Sequence, residues 1–554
     1  MPELRRSLRS TFGFEQLRPG QADVIRSVLD GHDTLAVMPT GAGKSLCYQL
    51  PALHLEGTTI IVSPLISLMK DQVDKLQDRG LEALQVNSTL TVRSEESALE
   101  RIEQESSDFV FTTPERLTDA EFLARLQDTA IDFVVIDEAH CISQWGHDFR
   151  PSYLALRRAL EELGDPPVLA LTATATEEVV ADIKQQLGRP RMVVFESGIF
   201  RPNLELQVEH VSGDIEKRAE LLQILEGSPG TGIIYAATVK HVQELTSFFQ
   251  REGFEVLAYH GRLAAKRRHD AQERFMAGEL KAMVATNAFG MGIDKADIRF
   301  VIHYDIPASL EAYYQEAGRA GRDGEPARCV LLYDRRDRRT QLFLLGGRYP
   351  GEREVGKVYA ALIELTRGRR SAPGSAVQET AEPVAKTKTK VTLSALKEAG
   401  IVREPRPGEF RLVGGVLSPK QLAELAAEWK RRDERDREKL DRMEGYARSA
   451  LCRWRVLREY FGEDEAEERC GVCDNCQKGL AQRAEKAERA PAPPLRSAQG
   501  RLSPPKFIKG DRVTLPSFGD GTVQEVAEDS IVVLFPDGRA RKFKKEFARP
   551  VRGR

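Results

Sequence analysis

No stretch of this 554-residue chain is apolar for the roughly 18 residues that a bilayer-spanning helix needs, and no apolar segment of an export signal follows its basic start, MPELRRSLRS. A soluble intracellular protein with no membrane partner is expected. An excess of one charge is equally lacking, because 82 Lys and Arg stand against 84 Asp and Glu. Any surface for a polyanion must therefore come from local segregation of charge. Cysteine is scarce at seven, and four of the seven (Cys452, Cys470, Cys473, Cys476) fall within 25 residues. In a reducing compartment such clustering favours a metal over disulfides, and Cys47, Cys141 and Cys329 read as small buried apolar residues. One hydrophobic core is excluded by length, so roughly three to five domains are expected.

From about residue 15 to 340, short runs apolar on both faces alternate with helical stretches: TTIIVSPL, DFVFTTP, FVVIDEA and VLALTAT, then GIIYAAT, FEVLAYH, KAMVATN and RFVIHYD. This is the signature of parallel strands covered by helices. It predicts two tandem open α/β domains, 1–205 and 206–345, with a seam at 196–210 where ESGIFRPNLELQVEH breaks the rhythm. Beyond 345 the pattern turns helical. Three short helices and a Pro/Gly-turned hairpin, REPRPGEFRLV, outline a winged-helix insertion over 346–418, with a plain helical insertion as the alternative. Residues 421–450 read as one long helix with a solvated, charge-dense face. The cysteine-bearing subdomain spans 419–480, and 481–505, rich in Ala, Pro, Arg and Glu, reads as a linker. From 506 to 554, apolar and polar residues alternate around FGDG and PDGR turns, which predicts a small antiparallel β-barrel. Residues 501–554 carry 12 Lys and Arg against 7 Asp and Glu.

Ligands of open parallel sheets bind at the carboxyl ends of the strands. There the chain places MPTGAGKS, a Gly-rich turn between the strand TLAVM and a helix. Gly41 and Gly43 let backbone amides face phosphate oxygens, Lys44 reaches the terminal phosphates, and Ser45 is a magnesium ligand. Thr40 and Ala42 complete the loop. The strand VVI delivers Asp137 and Glu138, the first suited to magnesium and the second to orienting the attacking water. In YYQEAGRAGRDG, Gln315, Arg319 and Arg322 share one face if the segment is helical, and the two arginines are candidate fingers on a terminal phosphate. ATP and Mg2+ are the expected cofactors.

Cys470, Cys473 and Cys476 have CxxCxxC spacing, and with Cys452 late in a helix they complete a tetrahedral thiolate set with no position left for water. A structural Zn2+ is expected. An iron–sulfur cluster is less well matched because no x3-C-P follows. Arg453, Arg455 and Arg458 read either as a DNA-backbone contact or as a basic face in water.

In order, LRPGQ, MPTGAGKS, VSPLISLMKDQV, TTPERL, DEAH, LTATAT, FRPNL, AYHGRL, ATNAFGMGIDK and QEAGRAGRDG resemble the motif series of the superfamily 2 helicases. The stretch DEAHCISQWGHDFRPSY and the segment with YFGE and CDNC are similar to the RecQ DNA helicases. The resemblance covers about residues 10–340 and 430–478. It implies that the two α/β domains are RecA-like and form an ATP-driven motor moving 3′ to 5′ on single-stranded DNA, acting on forked DNA, in the cytoplasm and associated with the nucleoid. It implies that Gln21 reads adenine with Arg18 nearby, that His140 couples the γ-phosphate to the DNA side, and that Arg319 and Arg322 are the fingers. It also implies that Trp145, His147, Phe149, Arg150 and Tyr153 form a DNA-sensing loop, whose aromatic faces stack on unpaired bases. The other reading of these aromatics is a core cluster behind the strand. The chain departs from the family pattern in placing the winged element before the cysteines and a Tudor- or SH3-like barrel at the end, a candidate module for docking a protein or, by its basic balance, equally for DNA. An RNA-dependent ATPase of the DEAD/DEAH type is the rival reading; it shares both α/β domains and lacks the aromatic loop and the cysteine site.

Overall fold

The computed structural model describes the chain except residues 1, 89, 91, 105–107, 128, 144–149, 291–292, 347–348, 368–370, 407, 414–416, 464–468, 490–506, 516–518, 528–529, 536–539, 545–548 and 551–554. It divides into two compact units, residues 1–483 and 484–554.

Within the first unit, the runs apolar on both faces form parallel strands, as their pattern predicts. β1 (Thr34–Val37), β2 (Thr58–Val62), β3 (Ala83–Val86), β4 (Phe109–Thr112), β5 (Ile131–Ile136), β6 (Val168–Thr172) and β7 (Val193–Glu196) make a seven-stranded parallel sheet in the order 3-4-2-5-6-1-7. Apolar clusters cover both of its faces, one centred on Val62, Val110 and Val134 and the other on Ile61, Phe111 and Val135. β8 (Leu204–His210), β9 (Thr231–Tyr235), β10 (Val256–Tyr259), β11 (Ala282–Ala285), β12 (Ile298–His303) and β13 (Ala327–Tyr333) make a second parallel sheet in the order 10-11-9-12-13-8. β8 corrects the reading of the seam, because LELQVEH is itself an edge strand paired with β13. Its alternating burial is that of a strand covered less completely on one face.

The inserted segment has a helix (Glu352–Thr366), a two-residue strand (Ala372–Pro373), two helices (Gly374–Thr380 and Lys386–Glu398) and a hairpin (Val402–Arg406 with Glu409–Leu412). Val358, Leu362, Val377, Leu393, Leu396 and Val402 form its core. This is the element order of a winged helix. The long helix follows at Pro419–Arg448, entered through a Ser418/Gln421 capping box. Its charges are not all solvated. Glu444 accepts from Tyr333 (2.9 Å) and Arg338 (2.7 Å), Lys439 pairs with Glu311 (3.2 Å), and Leu440, Met443 and Tyr446 are buried. The linker reading is corrected at its start, since Leu480–Arg489 is a helix; residues 490–505 lie outside the described residues. The second unit contains five antiparallel strands, with Val513, Val523, Ile531, Val533 and Phe535 buried between them.

One charged cluster fixes the strand ends of the second sheet. Lys217 is 2% exposed and donates to Tyr304 O (2.6 Å) and to both carboxylate oxygens of Asp337 (2.7 and 2.8 Å). Asp305 lies 3.9 Å away and accepts from His241 Nδ1 (2.8 Å) and Ala237 N (2.8 Å). Lys217→Ala leaves two buried carboxylates without their cation and is expected to cost about 3–5 kcal/mol, read from denaturant unfolding. The Asp305 hydrogen bond raises the His241 pKa above its ordinary value. The stability from that pair is therefore complete below the unfolded histidine's pKa and is lost as pH rises through the higher folded one. Unfolding free energy measured across pH 6 to 9 is expected to show this loss, and His241→Gln to abolish it.

Candidate active site and metal centre

The phosphate loop begins where β1 ends. Gly41 and Gly43 adopt φ of 86° and 80°, the left-handed region that glycine enters without steric cost. Helix Leu46–Ala52 follows directly, so the loop runs into a helix start, the place in a fold that favours anions. Lys44 Nζ donates to Met38 O (3.1 Å). Burial lowers its pKa, against the opposing pull of Glu138 and Asp137. Gln21 is 2% exposed and ties the loop down: its Nε2 donates to Ala42 O and Gly43 O (both 3.0 Å), and its Oε1 accepts from Arg18 N (2.8 Å). Arg18 Nη1 in turn donates to Gly41 O. Both ends of the Gln21 amide are thus engaged with protein, so in this state it acts as a brace for the loop, and reading adenine requires it to exchange those bonds.

Asp137 and Glu138 leave the end of β5 facing the loop. Burial first, and Glu138 second, raise the Asp137 pKa to about 6. Ser63 Oγ donates to Asp137 at 3.4 Å. A half-buried acid pair of this kind suits a divalent cation, with Ser45 and Asp137 as the residues to hold magnesium. Glu138 has φ 50°, a left-handed conformation that costs a non-glycine residue on the order of 1–3 kcal/mol and persists where the surroundings impose it. His140 is 3% exposed and sits 3.3 Å from Glu138 Oε2 and 3.1 Å from Thr172 Oγ1 at the end of β6. It therefore links the acid pair to the neighbouring strand.

The second lobe closes the site. Helix Leu310–Ala317 stops before the arginines, correcting the expectation of one helical face: Arg319 and Arg322 stand on turns that begin at the helix-capping Gly318. The turn rests against the phosphate loop. A Cβ on Gly318 would lie 3.5 Å from Thr40 Cβ, and one on Gly41 would lie 3.5 Å from Arg322 Cγ. Arg319 Nη1 donates to Gly290 O and Arg322 Nη1 to Asp294 (2.8 Å). The Nε atoms of both arginines are buried without a hydrogen-bond acceptor among the described residues. Burial first, and Arg319 second, lower the Arg322 pKa. A cleft of 460 Å³ lies between the lobes, and Thr40, Lys44, Asp137, Glu138, Gln315 and both arginines line it.

Three further residues escaped the sequence reading. Phe14 lines the same cleft while 48% exposed. Asp294 joins the lobes, accepting from Arg322 on its own side and from Lys75 (2.9 Å) on the other. Gly290 leaves room for Arg319, whose Nε would lie 2.6 Å from a Cβ there. The loss of spacing cues explains the first two, because an isolated aromatic and an isolated acid carry no pattern.

Of the expected DNA-sensing loop, Trp145, His147 and Phe149 lie outside the described residues. The base of that loop is pinned: Arg150 N donates to Cys141 O (2.9 Å), Arg150 Nη1 to Pro64 O (3.3 Å), and Ser143 Oγ to Asp182 (2.7 Å). Tyr153 is corrected. It is 1% exposed with its hydroxyl on Asp137 O (3.1 Å), a core residue whose ring has no face to offer a base.

The four cysteines converge, with every sulfur within 4.8 Å of the others. Backbone amides of Arg453 and Cys470 point at Cys473 Sγ (3.4 Å) and Cys452 Sγ (3.3 Å). The set fits a closed tetrahedral zinc site. Arg453 is corrected from a DNA-facing group: it is 2% exposed, bound to Asp474 (2.9 and 3.1 Å) and to Tyr446 O (2.5 Å). Arg455 and Arg458 are also engaged, with Glu459 (2.6 Å) and Glu463 (2.5 Å). Asp474 also accepts from Val208 N of β8 (3.0 Å), so the subdomain is fastened to the second sheet's edge.

Two parallel-sheet lobes sharing one crevice, one with a phosphate loop and acid pair and the other with two arginines, define the core of the superfamily 2 helicases. Residues 18–183 match the DEAD/DEAH box helicase model, 216–324 the helicase conserved C-terminal domain, and 419–477 the RecQ zinc-binding model. The chain belongs to the RecQ helicase family. It is 33% identical over 492 residues to the ATP-dependent DNA helicase RecQ of Synechocystis sp., covering 86% of this chain and 98% of that relative. It is 48% identical over 336 residues to the ATP-dependent DNA helicase RecQ of Bacillus subtilis, a match spanning 60% of this chain and little more than half, 56%, of the relative. In fold it resembles the DUF1998 helicase MrfA bound to DNA, with a TM-score of 0.51 at 17% identity over 76% of this chain and 64% of the other.

Purified protein is expected to hold one zinc ion per chain by metal analysis. Cys473→Ser is expected to lose it and to lower stability by at least about 3 kcal/mol, because the ligand set is a folding element and not a surface feature.

Proposed function

We propose that the chain is an ATP-dependent DNA helicase that couples hydrolysis to 3′-to-5′ movement on single-stranded DNA and to separation of the duplex ahead, in DNA repair, recombination or replication. The observation that carries this reading is that Arg319 and Arg322 line the cleft beside the phosphate loop, each with a buried Nε that has no acceptor among the described residues. A γ-phosphate is the acceptor that both lobes reach at once. Lys44 and the loop amides hold the phosphates, Glu138 orients the attacking water, and the two arginines neutralise charge as it spreads over the transferred group. Magnesium held by Ser45 and Asp137 supplies further neutralisation when bound. Because the second lobe completes the site only when closed, nucleotide state sets the spacing of the lobes, and a strand gripped by both is moved.

The grip is assigned to Trp145, His147, Phe149 and Arg150, whose loop springs from the helical turn that carries His140. Substrate polarity and the preference for forked DNA rest on the family likeness. The winged segment is assigned to duplex handling on the family likeness, although it stands before the zinc subdomain and not after it. The basic C-terminal barrel is assigned to docking a protein partner, and the protein to the cytoplasm, on the nucleoid.

Hydrolysis by the full chain, titrated with single-stranded DNA and with RNA of the same sequence, tests the reading. DNA is expected to stimulate and RNA to do so poorly. Loss of one base stack of about 1–3 kcal/mol in Trp145→Ala is expected to raise the DNA concentration for half-stimulation by about 5- to 150-fold. Equal stimulation by RNA would instead support an RNA-dependent ATPase.

A further inference from the structure

The covalent link between the lobes is the segment from Ser197 to Asn203. Ser197 N still donates to Val37 O of β1, in the first lobe (3.1 Å). Gly198 follows with φ 74°. Among the described residues, the side-chain hydrogen bonds and ring contacts from Ile199 to Asn203 are made to the second lobe or the zinc subdomain. Ile199 O accepts from Tyr314 Oη (2.8 Å) and Ile199 N donates to Glu463 (2.6 Å). Phe200 packs edge-on against Trp454 (5.3 Å between centroids), and Trp454 Nε1 donates to Leu204 O (3.3 Å). The chain's bonding partners thus change from the first lobe to the second at Gly198.

The next residue but two is Arg201, 9% exposed. Its Nη1 donates to Gly318 O (2.7 Å) and its Nη2 to Ala320 O (2.8 Å) and Gly321 O (2.5 Å). Those carbonyls interleave with Arg319 and immediately precede Arg322. Asn203 Nδ2 reinforces the same turn at Gly321 O (2.8 Å) and Glu325 O (2.9 Å). A helix ends at Ala317, so this turn presents carbonyls with no helical donor, and a planar guanidinium satisfies several of them at once in a way an ammonium does not.

We propose that Arg201 is a positioning residue for the arginine pair: anchored just past the point where the chain crosses from one lobe to the other, it fixes the turn from which Arg319 and Arg322 enter the cleft, so that lobe closure delivers them in register. This rests on the hydrolytic function proposed above. Arg201 does not line the cleft and touches no reacting atom.

Steady-state ATP hydrolysis by the full chain with single-stranded DNA, for Arg201→Gln, Arg201→Lys, Arg319→Ala and the double variant Arg201→Gln/Arg319→Ala, tests it, with thermal melting run alongside. Arg201→Gln is expected to lower kcat by about 100-fold, the scale of losing one transition-state donor, with KM for ATP changed by less than about threefold. Arg201→Lys should recover part of the loss. The double variant should fall within about threefold of Arg319→Ala alone, because groups acting as a unit are not additive. A multiplicative loss in the double variant, or an unchanged kcat in Arg201→Gln, overturns the proposal. If Arg201→Gln does not fold, Asn203→Ala takes its place, with an expected kcat loss of about three- to tenfold and the same non-additivity. Absence of hydrolysis by the unaltered chain would overturn the proposed function itself, and this inference with it.

Discussion

Three cationic side chains crowded into one crevice are the constraint on which the rest depends. Lys44 comes from the first lobe, and Arg319 and Arg322 from the second. Burial holds Lys44 and Arg322 below their ordinary pKa, with Arg319 as the next contribution for Arg322. Buried like charges are costly unless an anion shares them. Asp137 and Glu138 face the same space, and Asp294 offsets one guanidinium from the rim. What remains unmatched is a pair of buried Nε donors, and a polyphosphate is the kind of group that matches them.

Much of the surrounding architecture keeps that crowding in register. Gln21 and Arg18 brace the phosphate loop from below, and His140 ties the acid pair to β6. On the other side, the turn bearing the arginines is held by Arg201 and Asn203. The zinc subdomain adds Trp454 against Phe200, and its Asp474 binds both Arg453 and the backbone of β8. The cysteine site thus lies one helix away from the inter-lobe segment, which gives a structural metal a mechanical position in the fold.

The strands were legible because parallel strands buried on both faces are written as unbroken apolar runs, and the motifs at their ends follow from where such sheets bind ligands. β8 escaped because LELQVEH alternates and so looks like a break in the rhythm. Spacing alone predicts a helix through Arg319 and Arg322, yet Gly318 ends it and Gly321 adopts φ 55°, where a Cβ would meet Asn203 Nδ2 at 2.5 Å. Residue type alone predicts that Tyr153 and Arg453 face outward. Each is buried, because a phenol and a guanidinium whose polar atoms are fully bonded serve as core.

Local chemistry was therefore determined by the sequence itself: a phosphate loop needs its glycines, a closed thiolate site needs its CxxCxxC spacing, and a buried parallel strand needs its apolar run. These depend on neighbours within a few residues. Only the tertiary structure decided which charged groups face the cleft and which hold the frame, since Arg201 and Gly318, or Asp474 and Val208, meet across more than a hundred residues. Whether an arginine is a finger, a brace or a core residue depends on the carbonyls and carboxylates that folding brings to it, and no spacing along the chain encodes that.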